Sequence, residues 1–113
     1  MQIISWQETN FEPLKVQITP LAENESAKEI KIAMAKDSTM PNHKAPFDIS
    51  VQVLKGEIEF EVAGKNLHLK ELDMICLKAN EAHSLKALKD SIIRLSLSKK
   101  DSAARVSAVL KKP

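Results

Sequence analysis

Tyrosine is absent from this 113-residue chain, and its aromatic residues are only Trp6, Phe11, Phe47 and Phe60. Proteins that hold single-stranded nucleic acid need rings on which bases stack, so this scarcity counts against such a platform. Cysteine is limited to Cys76. One cysteine can form neither an intramolecular disulfide nor a zinc ribbon. No sign of charge dominates, with 17 basic residues against 15 acidic ones and a formal net charge of +2. That balance does not argue for nucleic-acid binding. The start, Met1-Gln2-Ile3-Ile4-Ser5-Trp6, has no basic segment followed by a long apolar run. Neither a signal peptide nor a membrane span is expected, and a reducing cytoplasm is the expected location.

Apolar residues make up 43% of the chain, enough for a real core. The length suits one domain, 1–113, with a core expected at about 28–98. A domain of this size buries a limited fraction of its surface, so a second copy would add burial. The pattern is that of strands. Ile30, Ile32 and Met34 alternate with Lys31, Ala33 and Ala35, and Ile58, Phe60 and Val62 alternate with Glu57, Glu59 and Glu61. A period of two marks a half-buried antiparallel strand. Further strands are expected at 14–19, 47–54, 66–69, 74–78, 83–87 and 91–98. Both glycines of the chain, Gly56 and Gly64, fall in turns between these runs. Short strands at intervals of roughly eight to twelve residues predict a sandwich or barrel. The polar stretch 21–28 reads as a loop. Ser102 can cap a short helix over about 102–112, with Ala103, Val106, Val109 and Leu110 on one side and Lys111 and Lys112 complementing its dipole.

Two stretches carry an ordered pattern. The first is Met40-Pro41-Asn42-His43-Lys44-Ala45-Pro46-Phe47-Asp48-Ile49, followed by Val51-Gln52-Val53-Leu54-Lys55-Gly56-Glu57. The second is Asp73-Met74-Ile75-Cys76-Leu77-Lys78-Ala79-Asn80-Glu81-Ala82-His83. Here the chain resembles small single-domain bacterial members of the cupin superfamily. The resemblance implies an all-β, antiparallel barrel of the double-stranded β-helix or jelly-roll type, and a homodimer. It also implies a metal held by two histidines and a glutamate of the first motif and one histidine of the second. Counted back from Gly56, the first histidine matches His43, the second falls on Ala45 and the glutamate on Ile49; the last histidine matches His83. Imidazole and carboxylate together suit divalent transition metals, but two neutral ligands fall short of the three protein ligands of a catalytic site. No stoichiometric metal or other cofactor is therefore expected; were a metal to bind, His43 and His83 would hold it. Leu72 stands where the family has glycine, and Lys78 where proline is common.

The leading expectation is a non-catalytic protein that binds or senses an unidentified small molecule in the barrel. His43, Gln52, His83 and Arg94 are its candidate polar contacts at the mouth. Alternation turns Gln52 away from Ile49 and Val51, which makes it the weakest of the four. Arg94 shares a face with Ile92 and Ser96, and could clamp a carboxylate or phosphate. Two alternatives stand beside this reading. One is a metal-dependent enzyme of isomerase or dioxygenase type. The other is a module for acidic polymers or lipid headgroups, using the lysines at 86, 89, 99, 100, 111 and 112. His68 is expected at the surface, and Cys76 as a buried, inert thiol. Apolar residues on both faces of the 91–98 strand support the homodimer.

Overall fold

A computed structural model describes residues 1–7 and 9–111; Glu8, Lys112 and Pro113 lie outside it. Among the described residues nine strands and one helix follow in chain order: β1 Val16–Glu23, β2 Ala27–Met34, β3 Thr39–His43, β4 Ile49–Lys55, β5 Ile58–Val62, β6 Lys65–Leu69, β7 Met74–Leu77, β8 His83–Ala87, β9 Ser91–Ser98 and α1 Ala103–Val109. They form two antiparallel sheets, ordered β1-β2-β9-β4-β7 and β3-β8-β5-β6. The alternating strands form the sandwich or barrel expected from their period of two, and its topology is the jelly roll that the resemblance implies.

Alternation decides what the sheets bury. Ile30, Ile32 and Met34 of β2, Val51 and Val53 of β4, and Ile93, Leu95 and Leu97 of β9 point between the sheets, where they meet Ile58 and Phe60 of β5. β9 lies at the centre of the larger sheet, paired along its length with β2 and β4. Burying one such large aliphatic or aromatic side chain is worth about 1.5–3 kcal/mol, so this inner layer carries most of the stability.

The first hairpin runs further than the sequence pattern suggests, with β1 reaching Glu23 and β2 starting at Ala27. The polar stretch 21–28 is mostly strand: Ala22 pairs with Glu29 and Glu23 with Lys28, leaving a turn at 24–26. The Asn24 side chain accepts from the Ser26 and Ala27 backbone N–H groups at 2.8 and 2.9 Å, and so closes that turn. Cross-strand pairing overrides polar composition here, because the hairpin tip faces solvent on both sides. β3 is a strand that alternation alone does not reveal, since Pro41 interrupts it. It runs along the edge of the smaller sheet, where a missing N–H is tolerated.

The hairpin joining β5 to β6 turns at Ala63 and Gly64, both at positive φ (53° and 73°). That combination defines the mirror-image turn preferred in two-residue hairpins. Leu72, which stands where the resemblance implies glycine, also has positive φ, 73°. A left-handed backbone costs a branched residue about 1–2 kcal/mol. Leu72→Gly should therefore raise the midpoint of urea unfolding, for a stability gain of about 0.5–1 kcal/mol after the added chain entropy of glycine is subtracted. An unchanged or lower midpoint would show that Leu72 is held there without strain.

The helix forms as the sequence predicts. Ser102 is extended (φ −144°, ψ 150°), and its hydroxyl accepts from the Arg105 N–H at 3.1 Å. Val106 and Val109 are buried in the barrel core, so this part of the apolar stripe docks on its own barrel, whereas Leu110 is an exposed C-cap. The helix ends before Lys111, which lies past its last turn, and Lys112 falls outside the described residues. Cys76 requires a correction: its thiol is exposed, not buried. β7 is an edge strand whose Leu77 points inward and whose Met74 and Cys76 point outward.

Candidate functional site

A β-bulge builds the site. β3 and β8 pair Met40 with Leu85 and then His43 with His83, so two β3 residues oppose one on β8 in between. An extra residue in one strand shifts its side-chain phase. Without it Asn42 would face His83, and His43 would point to the outer face. With it, the two imidazoles meet across the strands with ring centroids 4.2 Å apart and planes tilted by 60°. Phe60, from β5, stacks on His83 almost in parallel, at 5.4 Å and 8°.

Both rings have defined proton positions. His43 Nδ1 lies 2.7 Å from the Pro41 carbonyl and His83 Nδ1 lies 2.8 Å from the Glu81 carbonyl. A carbonyl oxygen only accepts, so each Nδ1 carries its proton and donates. In the neutral ring the other nitrogen, Nε2, is then an acceptor. His83 is only 2% exposed. Burial pushes its pKa below the ordinary histidine value; the Glu81 carbonyl works against this and the Arg105 charge adds to it.

That depressed pKa makes a stability prediction. The unfolded chain binds the His83 proton more tightly than the folded one, so stability is full above about pH 6.5, the ordinary histidine value, and falls below it. The thermal midpoint should drop between about pH 7.5 and about pH 5.5, with on the order of 1 kcal/mol of the loss belonging to His83. His83→Gln should flatten that part of the curve. A variant curve parallel to the wild type would remove His83 as the cause.

The cavity beside the histidines has a volume of ≈ 20 Å³. Its apolar lining includes Met40, Ala45, Ile49, Leu85, Leu95 and Val106. Arg105 of α1 also reaches it, a residue that sequence reasoning passed over. The guanidinium is held by Asp101 through two bonds, Nε to Oδ1 at 2.6 Å and Nη2 to Oδ2 at 2.8 Å. Asp101 is 4% exposed and also accepts from the Ser102 N–H. The four-residue spacing of Asp101 and Arg105 at a helix start was the only sequence signal for this latch.

Two loops meet beside Ala45, which lines the cavity. The Asn80 N–H donates to the Ala45 carbonyl at 2.7 Å, and the Ala79 N–H donates to Asp48 Oδ1 at 2.9 Å. Asp48 thus ties the loop before β4 to the loop before β8, and stays outside the cavity.

Of the four expected contacts, the structure brings His43 and His83 together and sets Gln52 and Arg94 elsewhere. Gln52 and Arg94 are register partners on the outer face of the larger sheet. Gln52 Nε2 donates to the Leu72 carbonyl at 3.3 Å. Arg94 Nε donates to Glu29 Oε1 at 2.9 Å, and Ser96 Oγ donates to the same oxygen at 2.6 Å. Partial burial would raise the Glu29 carboxyl, but these hydrogen bonds overcome it and hold the group below its usual range. Inward and outward positions alternate on β4 and β9, so neither residue can share a face with Ile49 or Leu95.

His68 lies at the surface as expected, 3.0 Å from Glu57. Two of the lysines considered for a basic surface face carboxylates: Lys89 meets Glu57 at 3.1 Å, and Lys86 pairs in register with Glu59. Among the described residues no helix is long and apolar enough to cross a membrane.

The donor set does not fit the metal that the resemblance implies. Ala45 and Ile49, 3% and 7% exposed, line the same cavity as the two histidines but carry no ligand atom. Among the described residues no group of three or more His, Cys, Asp or Glu is placed to hold a metal ion.

No protein-family model and no curated protein matches the chain. Solved structures do. A cupin superfamily protein from Desulfitobacterium hafniense is similar with a TM-score of 0.73 at 13% identity, over 80% of this chain and 83% of that one. An uncharacterised conserved protein with a double-stranded β-helix domain from Klebsiella pneumoniae gives 0.73 at 19%, over 87% and 89%. A cupin 2 conserved barrel domain protein from Leptotrichia buccalis gives 0.72 at 26%, over 80% of this chain and 44% of its own.

Proposed function

This chain has the double-stranded β-helix fold of the cupin superfamily, and from that premise we propose that it is a non-catalytic protein that binds a small molecule inside the barrel. The observation that carries the reading is the His43–His83 pair, presented by the β3 bulge to a cavity whose remaining lining is mostly apolar. Ligand pockets are commonly apolar with a few placed polar groups. Counted back from Gly56, Ala45 and Ile49 take the positions where the resemblance implies metal ligands, and neither has a ligand atom, so a metal-dependent isomerase or dioxygenase is the poorer reading. A reducing cytoplasm suits the single exposed thiol.

The test combines metal analysis with a fragment screen. Protein purified without chelators or an affinity tag should contain well under one transition-metal ion per chain. Fragments that bind should shift the amide resonances of Met40, His83 and Leu85 in nuclear magnetic resonance spectra, and His83→Ala should abolish those shifts. About one metal ion per chain, lost on His43→Ala, would overturn the proposal in favour of the enzyme.

The same reading includes a homodimer. Its apolar basis differs from the one expected from the sequence. Ile92 is already buried, in a recess it shares with Leu54 and Trp6 of the N-terminal segment. Met74 is a large apolar side chain left exposed on β7, one of the two edge strands of the larger sheet. An unpaired edge with apolar neighbours is a ready pairing surface. Light scattering should give twice the chain mass of 12.6 kDa, and Met74→Lys should lower it. A 12.6 kDa species of the wild type at micromolar concentration would sink the dimer.

A further inference from the structure

We infer that the barrel takes a small, uncharged hydrogen-bond donor of the phenol or alcohol class, that it does so in the space now filled by Val106, and that α1 is the gate. The inference rests on the binding reading above and adds the ligand's chemistry and its route.

The cavity volume forces the gate. A space of ≈ 20 Å³ holds about one water, whereas a benzene-sized guest fits a cavity on the order of 150 Å³. No organic ligand enters the closed barrel as it stands. Two lining residues, Arg105 and Val106, belong to α1, outside the sheets, and Val106 is 2% exposed. α1 has seven residues, too few to be stable alone, so it is ordered by docking. Besides the buried Val106 and Val109, what holds it down is polar and confined to one end: the Asp101–Arg105 pair, the Ser102 cap, and Lys28 Nζ donating to the Asp101 carbonyl at 2.6 Å. Removing α1 exposes the apolar interior without breaking a strand pair, because no strand pairs with it.

The polar atoms fix the ligand class. Nδ1–H of His83 is committed to the Glu81 carbonyl, so the neutral ring offers the cavity only an acceptor. The ligand must therefore donate. Arg105 is the charged group at the lining, and Asp101 already balances it with two bonds. Arg105 leaves with α1 when the gate opens, so a carboxylate or a cation alike would enter an apolar space with its charge uncompensated. An uncharged donor avoids that penalty. Phe60 stacked on His83 holds the ring in place for that bond.

The experiment uses the full chain with phenol, toluene and benzoate as probes, followed by calorimetry and by hydrogen exchange of the backbone amides. Phenol should bind wild type weakly and Asp101→Asn about tenfold more tightly, since weakening the latch raises the competent fraction. Toluene and benzoate should each bind at least about tenfold more weakly than phenol, and His83→Leu should remove the preference of phenol over toluene. In wild type, saturating phenol should accelerate exchange at 103–109 while β4 and β9 amides stay protected. This readout does not depend on any variant folding. Benzoate binding as tightly as phenol would overturn the ligand class. Phenol binding with α1 still protected would overturn the gate. Binding of other fragments at His83 without phenol would sink this inference and leave the barrel-binding reading standing, whereas no fragment at His83 in any variant would sink both.

Discussion

Gly56→Ala is expected to destabilise the fold by at least about 4 kcal/mol, among the largest effects a single added methyl group can have. Two independent costs meet at this turn. Gly56 has φ +91°, where a side chain is strained before it touches anything. An added Cβ would also collide with Ser91 Oγ, and would stand 2.5 Å from the Asp90 carbonyl oxygen and 2.9 Å from Ser91 Cα. Two of those three neighbours are backbone, so rotating a side chain relieves little. Ser91 cannot yield freely either. It is fully buried, its hydroxyl donates to the Lys89 carbonyl at 2.7 Å, and it accepts from the Glu57 N–H at 3.2 Å. Moving it opens the junction where β4 passes into β5 and β9 begins. Urea unfolding should show a strongly lowered midpoint, or no folded protein at all. Ser91→Ala in the same background separates the two costs. It removes the hydroxyl clash and should recover part of the loss, while the φ strain and the Asp90 contact remain. A Gly56→Ala protein with a wild-type midpoint would mean that the turn repacks without cost.

The strands and their faces were legible in the sequence because alternation is a local rule that the barrel obeys everywhere one side is buried. Phe60, Ile93 and Val53 follow it without exception. The helix was legible from the Ser102 cap and the spacing of Val106 and Val109. The start of the barrel was harder. Residues 22 and 23 are strand because they pair with Glu29 and Lys28 across the hairpin, and a pairing partner is not a local property. β3 was hidden by Pro41 and by the bulge that breaks its alternation. The bulge also explains why the site was half legible. His43 and His83 could be matched by counting from Gly56, yet only the two-to-one register shows why both face one cavity. Gln52 and Arg94 were attractive for their chemistry, but alternation already turned Gln52 away, and Arg94 shares an outer face with Ser96. Arg105 and Asp101 looked like ordinary helix-start charges. Their importance comes from where α1 docks, which neither composition nor periodicity encodes. Cys76 was misplaced because β7 reads like a buried run until its position at the sheet edge is known.

Ala45→His combined with Ile49→Glu should raise the affinity for a divalent transition metal by at least about a thousandfold over wild type, or about 4 kcal/mol. Both positions line the cavity that His43 and His83 share, so the substitutions place an imidazole and a carboxylate beside the existing pair. Each wild-type imidazole already has its Nδ1–H held by a carbonyl, the arrangement that orients a histidine to ligate through Nε2. Without metal the double variant should be less stable than wild type. A carboxylate at position 49 replaces a side chain that is 7% exposed and packed among apolar neighbours, and an unpaired buried charge is costly. That cost has a sign that can be read from pH. Burial raises the pKa of the introduced carboxyl above its unfolded value, so the apo variant should regain stability as pH falls toward the carboxylate range, while wild type does not. Metal should reverse the loss, because an ion bound only by the folded state stabilises it by about 4 kcal/mol at a thousand times its dissociation constant. Thermal unfolding with and without nickel or zinc measures both effects in one experiment. His83→Ala in the double-variant background should abolish the metal response and leave the apo deficit in place. If the double variant folds and shows no gain over wild type, residues 45 and 49 are not the missing ligand positions. The equivalence counted back from Gly56 would then fail, even with the histidine pair where it is.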